Sequence, residues 1–280
     1  MLQINPKEVS IPVMHAYLQS AIAPRPIALA STIDKDGSVN LSPFSFFNVF
    51  GTNPPTLIFS PNRRVRDGST KHTLQNVLEH DEVVIHMVDY AMVAQMSLSS
   101  CEYDKGVNEF IKAGFTESPS LLVKPPRIAE AKAAFECKVT QVIQMGQEGG
   151  APNLVICEVI LAHFSEDILD EKGKIDQLKT DWVARMGGDY YCRASGDAIF
   201  EVAKPSLHKG VGVENIPDYI KFNPLLDGND LGKLGNIEQL PMEDEIIAFK
   251  QEHGHLDFDR LAKKLLEKGD VKAAWMALLK

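Results

Sequence analysis

Two stretches of the sequence combine residue types that are suited to ligand binding. In residues 40–50 (NLSPFSFFNVF), phenylalanine rings are interleaved with serine and asparagine side chains. Rings can cover the face of a flat aromatic ligand, while hydroxyl and amide groups can hydrogen-bond its polar edge. For any single phenylalanine a place in a hydrophobic core is the simpler interpretation. The interleaved polar groups nevertheless favour a pocket wall for the stretch as a whole.

The second stretch is residues 71–73 (Lys-His-Thr), which the sequence places in the first turn of a helix. Apolar residues recur at helical spacing over residues 74–78, behind Ser69 or Thr70 as the expected N-cap. Free N–H groups and the positive dipole end favour an anion there, and lysine otherwise opposes the dipole. A phosphate cradle and an ordinary solvated first turn both fit the spacing. The glycine order excludes a P-loop.

The elements that must position these side chains are mainly β-strands. Alternating residues and hairpin-type turns predict a β-meander over residues 27–60, with a tight turn at residues 34–37, and further strands over residues 82–88, 128–145 and 153–164. The helices predicted before residue 200 are short: one runs from behind Ser69 or Thr70 to about residue 80, and the others cover residues 91–98 and 108–113. This pattern favours a closed antiparallel barrel over a doubly wound sheet.

The chain after about residue 200 has a different pattern. Residues 205–241 are rich in Gly, Pro and Asn and predict a loop, and three amphipathic helices are predicted at residues 243–251, 257–268 and 271–279. We therefore expect two domains, residues 1–200 with the barrel and residues 201–280 as a C-terminal loop and helical extension. The helices would pack over the barrel or across a dimer, with Trp275 and Leu278 as anchors.

Composition excludes several classes of function. The net charge of −9 over 280 residues argues against a nucleic-acid surface. The apolar runs are too short to span a membrane and the start lacks a signal-peptide pattern, so we expect a cytoplasmic protein. The four cysteines are widely spaced, which argues against zinc and disulfides. A calcium loop beginning at Asp34 fails at its twelfth position, Ser45, and His253 and His255 are typical of a solvated loop, so no metal is expected.

A colinear series of motifs resembles the flavin reductase-like proteins that bind FMN in a split barrel, a group that contains flavoredoxin and the small reductase components of two-component monooxygenases. The motifs are APRPIALASTIDKDGSVNLSPFSFFNVFGTNPPTLIFSPNRR (residues 23–64), KHTLQNV (71–77), SSCEYDKGVNEFIKAGF (99–115), FECKV (135–139) and ARMGGDYY (184–191). The resemblance implies a mainly β fold: an FMN-binding split barrel, antiparallel and of Greek-key type, with short peripheral helices and the C-terminal helical extension.

The resemblance also implies roles for individual residues. Residues 42–48 and 60–62 would line the isoalloxazine and ribityl chain, Lys71 and Thr73 would hold the 5′-phosphate, and His163 would contact the nicotinamide, although a satisfied histidine at a strand end is the simpler interpretation. His72 stands where many relatives carry Asp. The implied cofactor-binding set is Ser42, Pro43, Phe44, Ser45, Phe46, Phe47, Asn48, Ser60, Pro61, Asn62, Lys71, His72, Thr73, Ser99, Arg185 and Tyr191. Arg25, between two prolines, suits a phosphate or flavin contact and an interface salt bridge equally.

The activity implied by the resemblance is that of an NAD(P)H:flavin oxidoreductase, with FMN as cofactor and NADH or NADPH as co-substrate. Hydride would pass from nicotinamide C4 to flavin N5, which explains why no nucleophile or acid–base pair stands out. An FMN-binding electron carrier without NAD(P)H turnover is the alternative. An oxidase of pyridoxamine phosphate matches the motifs poorly, and a flavin-free scaffold is a further alternative. The resemblance implies a homodimer, with a monooxygenase or electron-transfer protein as partner.

Overall fold

The structure is a computed structural model, and it describes residues 1–205 and 209–280. The chain divides into two compact units, Met1–Phe200 and Glu201–Lys280. Within the described residues, no helix has the length and apolar character needed to cross a membrane.

The first unit consists of eleven strands and five α-helices within its 200 residues, all of which the structure describes. In chain order they are α1 (Ile11–Ala21), β1 (Ala28–Ile33), β2 (Val39–Phe44), β3 (Phe47–Thr52), β4 (Pro55–Phe59), α2 (His72–Glu79), β5 (Glu82–Met87), α3 (Val93–Leu98), α4 (Glu109–Ala113), β6 (Glu117–Ser118), β7 (Arg127–Ile128), β8 (Ala133–Gln144), β9 (Asn153–Phe164), α5 (Gln177–Thr180), β10 (Val183–Arg185) and β11 (Tyr191–Arg193).

Seven strands form one antiparallel sheet in the order β2-β1-β5-β8-β9-β4-β3. The two edge strands, β2 and β3, are consecutive in the chain and are joined only by Ser45 and Phe46. The sheet must therefore curl until its two edges approach each other at this corner. Within the described residues no strand ladder joins β2 to β3, so the barrel is split there. The predicted mainly β split barrel is confirmed.

Turn chemistry accounts for the first hairpin. Gly37 has φ of +83°, a left-handed conformation that glycine adopts without strain. The Asp34 carboxylate accepts hydrogen bonds from the N–H groups of Asp36 and Ser38 at 2.9 and 2.8 Å. Such a side chain closes the turn in place of a ligand, as expected for aspartate at this position.

Strand β1 is buried on both faces and separates two hydrophobic clusters. Ala28 and Ala30 point into the barrel with Phe59, whereas Leu29 packs under the peripheral helices with Phe110. Full burial of a side chain as large as Phe59 stabilises the fold by roughly 1.5–3 kcal/mol. Helix α2 adds Leu74 and Val77 to the barrel cluster, together with Phe44 from β2. Its first turn consequently lies beside the end of β2, at the corner of the barrel.

The structure differs from the sequence-based expectation at several places. The strand predicted over residues 128–145 is divided between β7 and β8, and α5, β10 and β11 were not expected. Helix α1 was not expected, although Pro12 in its first turn and apolar residues at helical spacing, Met14, Tyr17 and Leu18, are typical of a helix; none of its residues is buried. The N-cap of α2 is Lys71, not Ser69 or Thr70. The predicted loop over residues 205–241 contains two α-helices and a 3-10 turn, and its residues 206–208 lie outside the described residues.

The second unit is helical, as predicted. Its described helices are α6 (Asp218–Lys221), α7 (Gly228–Gly235), α8 (Glu243–His253), α9 (Phe258–Glu267) and α10 (Val271–Leu278). They enclose a core centred on Trp275, whose indole N–H donates to the Leu234 carbonyl at 3.0 Å. The Asp227 and Asp230 side chains form a capping box at the start of α7. The unit therefore has a hydrophobic core of its own.

Candidate functional site

A cavity of about 360 Å³ opens at the corner between β2 and β3. Seven of the residues expected at a binding site line it: Pro43, Phe44, Ser45, Phe46, Ser60, Asn62 and Lys71. Eight further lining residues were not expected: His15, Gln19, Arg63, Arg64, Val65, Arg66, Glu102 and Gly150. The two stretches singled out in the sequence therefore meet at one cavity.

The phenylalanines divide between the cavity and the core. The Phe44 ring lies 5.4 Å from the Phe59 ring between centroids, and Lys71 Nζ lies 5.0 Å from the Phe44 centroid. Phe46 stands edge-on to His15 of α1 at 6.2 Å. Phe47 packs against the barrel core and does not line the cavity. Phe44 and Phe46 are thus the rings available to a ligand.

Ser42 and Asn48 also lie away from the cavity lining. Ser42 is half-buried in β2, opposite Ala30 of β1. Asn48 is exposed on β3, and its side-chain oxygen accepts from the Val49 N–H at 2.8 Å. The polar edge of the pocket is therefore formed by Ser45 and by residues that follow β4.

The polar wall after β4 is held by a buried asparagine. The Ser60 hydroxyl donates to Asn62 Oδ1 at 2.6 Å and accepts from the Asn153 N–H at 3.0 Å. The Asn153 side-chain amide donates to the Pro61 carbonyl at 3.0 Å. Asn153 has no exposed surface, so Ser60 and Asn62 are fixed from behind. Pro61 contributes its carbonyl to this support and not to the cavity lining.

Cations are concentrated at the cavity although the chain as a whole is acidic. Its lining contains three arginines and one lysine against the single carboxylate of Glu102. Burial, and then the charge of Arg64, lowers the pKa of Lys71. Arg63 Nε is buried and has no acceptor within the described residues. Such an unsatisfied donor beside a lysine suits an anionic ligand.

The arginines lie on a loop, residues 63–69, that is closed by its own hydrogen bonds. The backbone N–H of Arg64 donates to the Ser69 carbonyl at 2.9 Å, and that of Gly68 donates to the Arg64 carbonyl at 2.8 Å. Hydrogen bonds from the Ser69 hydroxyl and N–H lower the pKa of Asp67 to about 2. We call these residues the arginine loop.

The turn between β8 and β9 supports the arginine loop. The Arg63 N–H donates to the Ala151 carbonyl at 3.0 Å, and the Gly150 N–H donates back to the Arg63 carbonyl at 3.1 Å. A Cβ atom on Gly149 would lie 2.5 Å from the Val65 carbonyl oxygen. This close approach requires glycine and positions the arginine side chains at the cavity.

Only Lys71 of the predicted first-turn trio lines the cavity. Thr73 has no exposed surface, and its hydroxyl accepts from the Asn40 side-chain amide at 3.0 Å. Residues two apart on a helix lie about 200° apart around its axis, so Thr73 faces the barrel. His72 borders a separate void of about 10 Å³ beside Asn40, and burial lowers its pKa.

The remaining predicted residues also lie outside the cavity lining. Ser99 is buried and its hydroxyl donates to the Met96 carbonyl at 2.8 Å. Arg185 donates to the Gly188 carbonyl at 2.7 Å, and its guanidinium lies 4.6 Å from the centroid of the Tyr191 ring. These contacts account for the positions of the Ser99, Arg185 and Tyr191 side chains without a ligand. The cofactor contacts that the resemblance implies for them stay predictions.

His163 is bound to a buried carboxylate. Its Nε2 lies 2.7 Å from Glu136 Oε1, and the Leu121 and Leu122 N–H groups also donate to Glu136, at 2.8 and 2.6 Å. Burial opposes ionisation of Glu136, but these hydrogen bonds outweigh it and lower its pKa. His163 thus helps to hold the loop before β7, and a nicotinamide contact stays a prediction.

Arg25 is held mainly by backbone carbonyls, and its Nε lies 3.5 Å from the hydroxyl of Ser45 at the cavity. The phosphate or flavin contact and the interface salt bridge considered from the sequence stay predictions. The Arg25 guanidinium donates to the carbonyls of Gln19, Ile22 and Met186, with the last two at 2.6 and 3.0 Å. It therefore fastens the end of α1, the helix that brings His15 and Gln19 to the cavity. Met14, Tyr17 and Leu18 at helical spacing behind Pro12 could have indicated this helix, and Arg63, Arg64 and Arg66 after Asn62 were a visible signal for the cationic side of the cavity.

Comparison with known proteins identifies related sequences and folds. The model of the flavin reductase like domain family matches residues 20–179. A protein of Aquifex aeolicus is 37% identical over 196 residues, which cover 70% of this chain and 97% of that protein. The second unit, Glu201–Lys280, lies outside the residues matched by the family model.

Solved structures resemble the chain over about three quarters of its length. Nitrilotriacetate monooxygenase component B from Bacillus cereus has a TM-score of 0.67 and 29% identity, covering 72% of this chain and 98% of its own. A protein with a split barrel domain from Shewanella frigidimarina has a TM-score of 0.61 and 22% identity, covering 73% and 100%. The second likeness concerns the fold alone.

Proposed function

Because the chain belongs to the flavin reductase like domain family, we propose that it is an FMN-binding oxidoreductase that uses NADH or NADPH to reduce flavin. The observation that carries this proposal is the cavity at the barrel corner, where aromatic rings, hydroxyl groups and unpaired cations converge. A ligand with a flat polar ring at one end and a phosphate at the other matches that lining.

The residues present fit FMN. Phe44 and Phe46 offer apolar surface for the ring system, and Ser45, Ser60 and Asn62 offer hydrogen bonds to its polar edge and ribityl chain. For the phosphate we assign Lys71 and Arg63. Within the described residues neither has a carboxylate partner, and Arg63 Nε has no acceptor at all. A phosphate monoester with a charge near −2 would be neutralised by these two cations.

When bound, FMN would supply the hydride-accepting chemistry, with the nicotinamide as the hydride donor. The chain then needs to bind and orient two flat ligands and to limit access of water. Phe46 of the barrel corner and His15 of α1 contact each other edge-on, with ring centroids 6.2 Å apart, and both line the cavity. We assign α1, fastened by Arg25, to this covering role. No proton donor or nucleophile is required of the lining residues.

An anaerobic spectrum tests the proposal. Protein loaded with FMN and freed of excess flavin is titrated with NADH and, separately, with NADPH while the flavin absorbance is followed. Loss of the oxidised flavin spectrum with saturable kinetics supports the reductase. A bound flavin untouched by both nucleotides but reduced by dithionite identifies the electron-carrier alternative. Protein that neither binds FMN in a titration nor oxidises NADH or NADPH with FMN in excess refutes both. Lys35→Ala, which removes an exposed lysine on the first hairpin, is the control for Lys71→Ala.

We further propose that the chain acts as a homodimer and passes reduced flavin to an oxygenase. Helix α1 has no buried residue, and its Tyr17 is 45% exposed. On β3, Val49 and Phe50 are 59% and 65% exposed. Apolar surface of this kind marks an interface, and a second copy is the partner that the family resemblance favours. The likeness to a monooxygenase component B supports an oxygenase as acceptor.

A further inference from the structure

The cations of the cavity fall into two groups. Lys71 and Arg63 have no carboxylate partner within the described residues, and we assign them above to one phosphate monoester. Arg64 and Arg66 share a different environment, because both bind the carboxylate of Glu102, at 3.0 and 3.1 Å, and Arg66 also pairs with Asp67 at 3.2 Å. One phosphate does not need four cations, so the second pair requires another explanation.

Stability does not explain the second pair. The Arg66 side chain is 72% exposed and Glu102 is 54% exposed. Ion pairs with this exposure contribute little to folding because water and salt screen them. Arg64 is 19% exposed and also donates to the Ser69 hydroxyl at 3.1 Å and the Thr70 carbonyl at 2.7 Å, so its guanidinium is held in place. Glu102 thus keeps two guanidinium groups together at the cavity.

The chemistry of this pair suits a diphosphate. Guanidinium groups match phosphate oxygens with paired hydrogen bonds, and two of them held together present donors to two adjacent phosphates. A diphosphate carries more charge than the Glu102 carboxylate that it would displace, while Asp67 stays bound to the N–H and hydroxyl of Ser69. The arginine loop is closed by its own backbone hydrogen bonds, so little ordering is needed for binding.

We propose that Arg64 and Arg66 form a second anion site that binds the diphosphate of an adenine dinucleotide. The inference rests on the proposed function, since it places this group in the same cavity as the flavin phosphate. FAD and NAD(P)H both contain an adenosine diphosphate, so either could supply it. In the absence of the nucleotide, the Glu102 carboxylate is paired with both arginines.

The primary test is calorimetric titration of ADP into the protein, with and without FMN, and with AMP as the single-phosphate comparison. We expect ADP to bind more tightly than AMP, and Arg66→Ala to weaken ADP binding ten- to hundredfold while FMN affinity changes less than twofold. Lys35→Ala removes the same charge from an exposed turn and should leave ADP binding unchanged.

Glu102→Gln separates a ligand site from a structural role. The variant keeps the shape of the side chain but removes the competing charge, so ADP should bind severalfold more tightly. Equal binding of ADP and AMP, or an unchanged ADP affinity in Arg66→Ala, overturns the inference. ADP is also titrated without FMN, so the two proposals fail separately. Absence of FMN binding refutes the proposed function, whereas the ADP titration still tests whether Arg64 and Arg66 bind a diphosphate.

Two further measurements distinguish the sources of the diphosphate. If it comes from flavin, the protein binds FAD more tightly than FMN and Arg66→Ala removes that preference. If it comes from the nicotinamide nucleotide, Arg66→Ala raises KM for NADH and NADPH while kcat and flavin affinity stay constant. A variant that changes neither quantity overturns the inference.

Discussion

Stability below neutral pH depends on His86, a histidine at the centre of the sheet. It has no exposed surface; its Nδ1–H donates to the Leu29 carbonyl at 2.8 Å and its Nε2 accepts from the Ile128 N–H at 2.9 Å. The bond from Ile128 requires the neutral ring, because a protonated Nε2 cannot accept, whereas the bond to the Leu29 carbonyl favours the charged form and opposes part of the effect of burial. Burial, assisted by the charges of Arg127 and His163, lowers the pKa of His86 from 6.5 to about 4.

The sign and size of the effect follow from linkage. Between pH 6.5 and pH 4 the unfolded chain binds a proton at this position and the folded chain does not, so the free energy of unfolding falls as the pH falls. The lowering of the His86 pKa from 6.5 to about 4 corresponds to about 3 kcal/mol of unfolding free energy in total. About 2 kcal/mol of this is lost between pH 7 and pH 5. This is a large share of a typical domain stability.

Urea unfolding at several pH values measures the effect. Trp182 fluorescence, in a Trp275→Phe background, reports on the first unit, because the chain has two tryptophans and Trp275 lies in the second. His86→Gln should be less stable at pH 7 but should lose about 2 kcal/mol less than the parent on going to pH 5. His80→Gln controls for removal of a histidine. Equal slopes in the parent and His86→Gln would refute the reasoning.

Three further predictions concern the site. Lys71→Ala should weaken FMN binding about ten- to hundredfold in a fluorescence titration. Thr73→Val should mainly lower stability toward urea, because the Thr73 hydroxyl accepts a hydrogen bond from the buried Asn40 side chain. An equal loss of FMN affinity in Thr73→Val, without a change in stability, would contradict that assignment. Gly149→Ala should displace the arginine loop and weaken FMN severalfold, since its Cβ would lie 2.5 Å from the Val65 oxygen, and Gly232→Ala, with open space around its Cβ, is the control. Phe50→Asp should give a monomer in sedimentation velocity if β3 lies in the dimer interface; an unchanged sedimentation coefficient argues against that face.

Predictions from local pattern were accurate where neighbouring residues decide the structure. The strand at residues 153–164 and the hairpin turn at Asp34 follow from alternation and from side-chain hydrogen bonds over four residues. The prediction missed α1, although Met14, Tyr17 and Leu18 recur at helical spacing behind Pro12 and were a local signal for a helix. It also failed for the N-cap of α2, where the serine and threonine favoured by preference tables precede the true cap by one or two residues.

The sequence by itself determined the strands, the helical second unit and the two chemical halves of the pocket, since alternation, turn residues and residue type are local properties. Tertiary structure decided which of those side chains meet. It turned Thr73 into the barrel and Lys71 to the cavity, brought α1 over the corner, and joined Arg64 to Glu102 across 38 positions of the chain. Contacts at such separations depend on how the whole sheet closes, which no local pattern records.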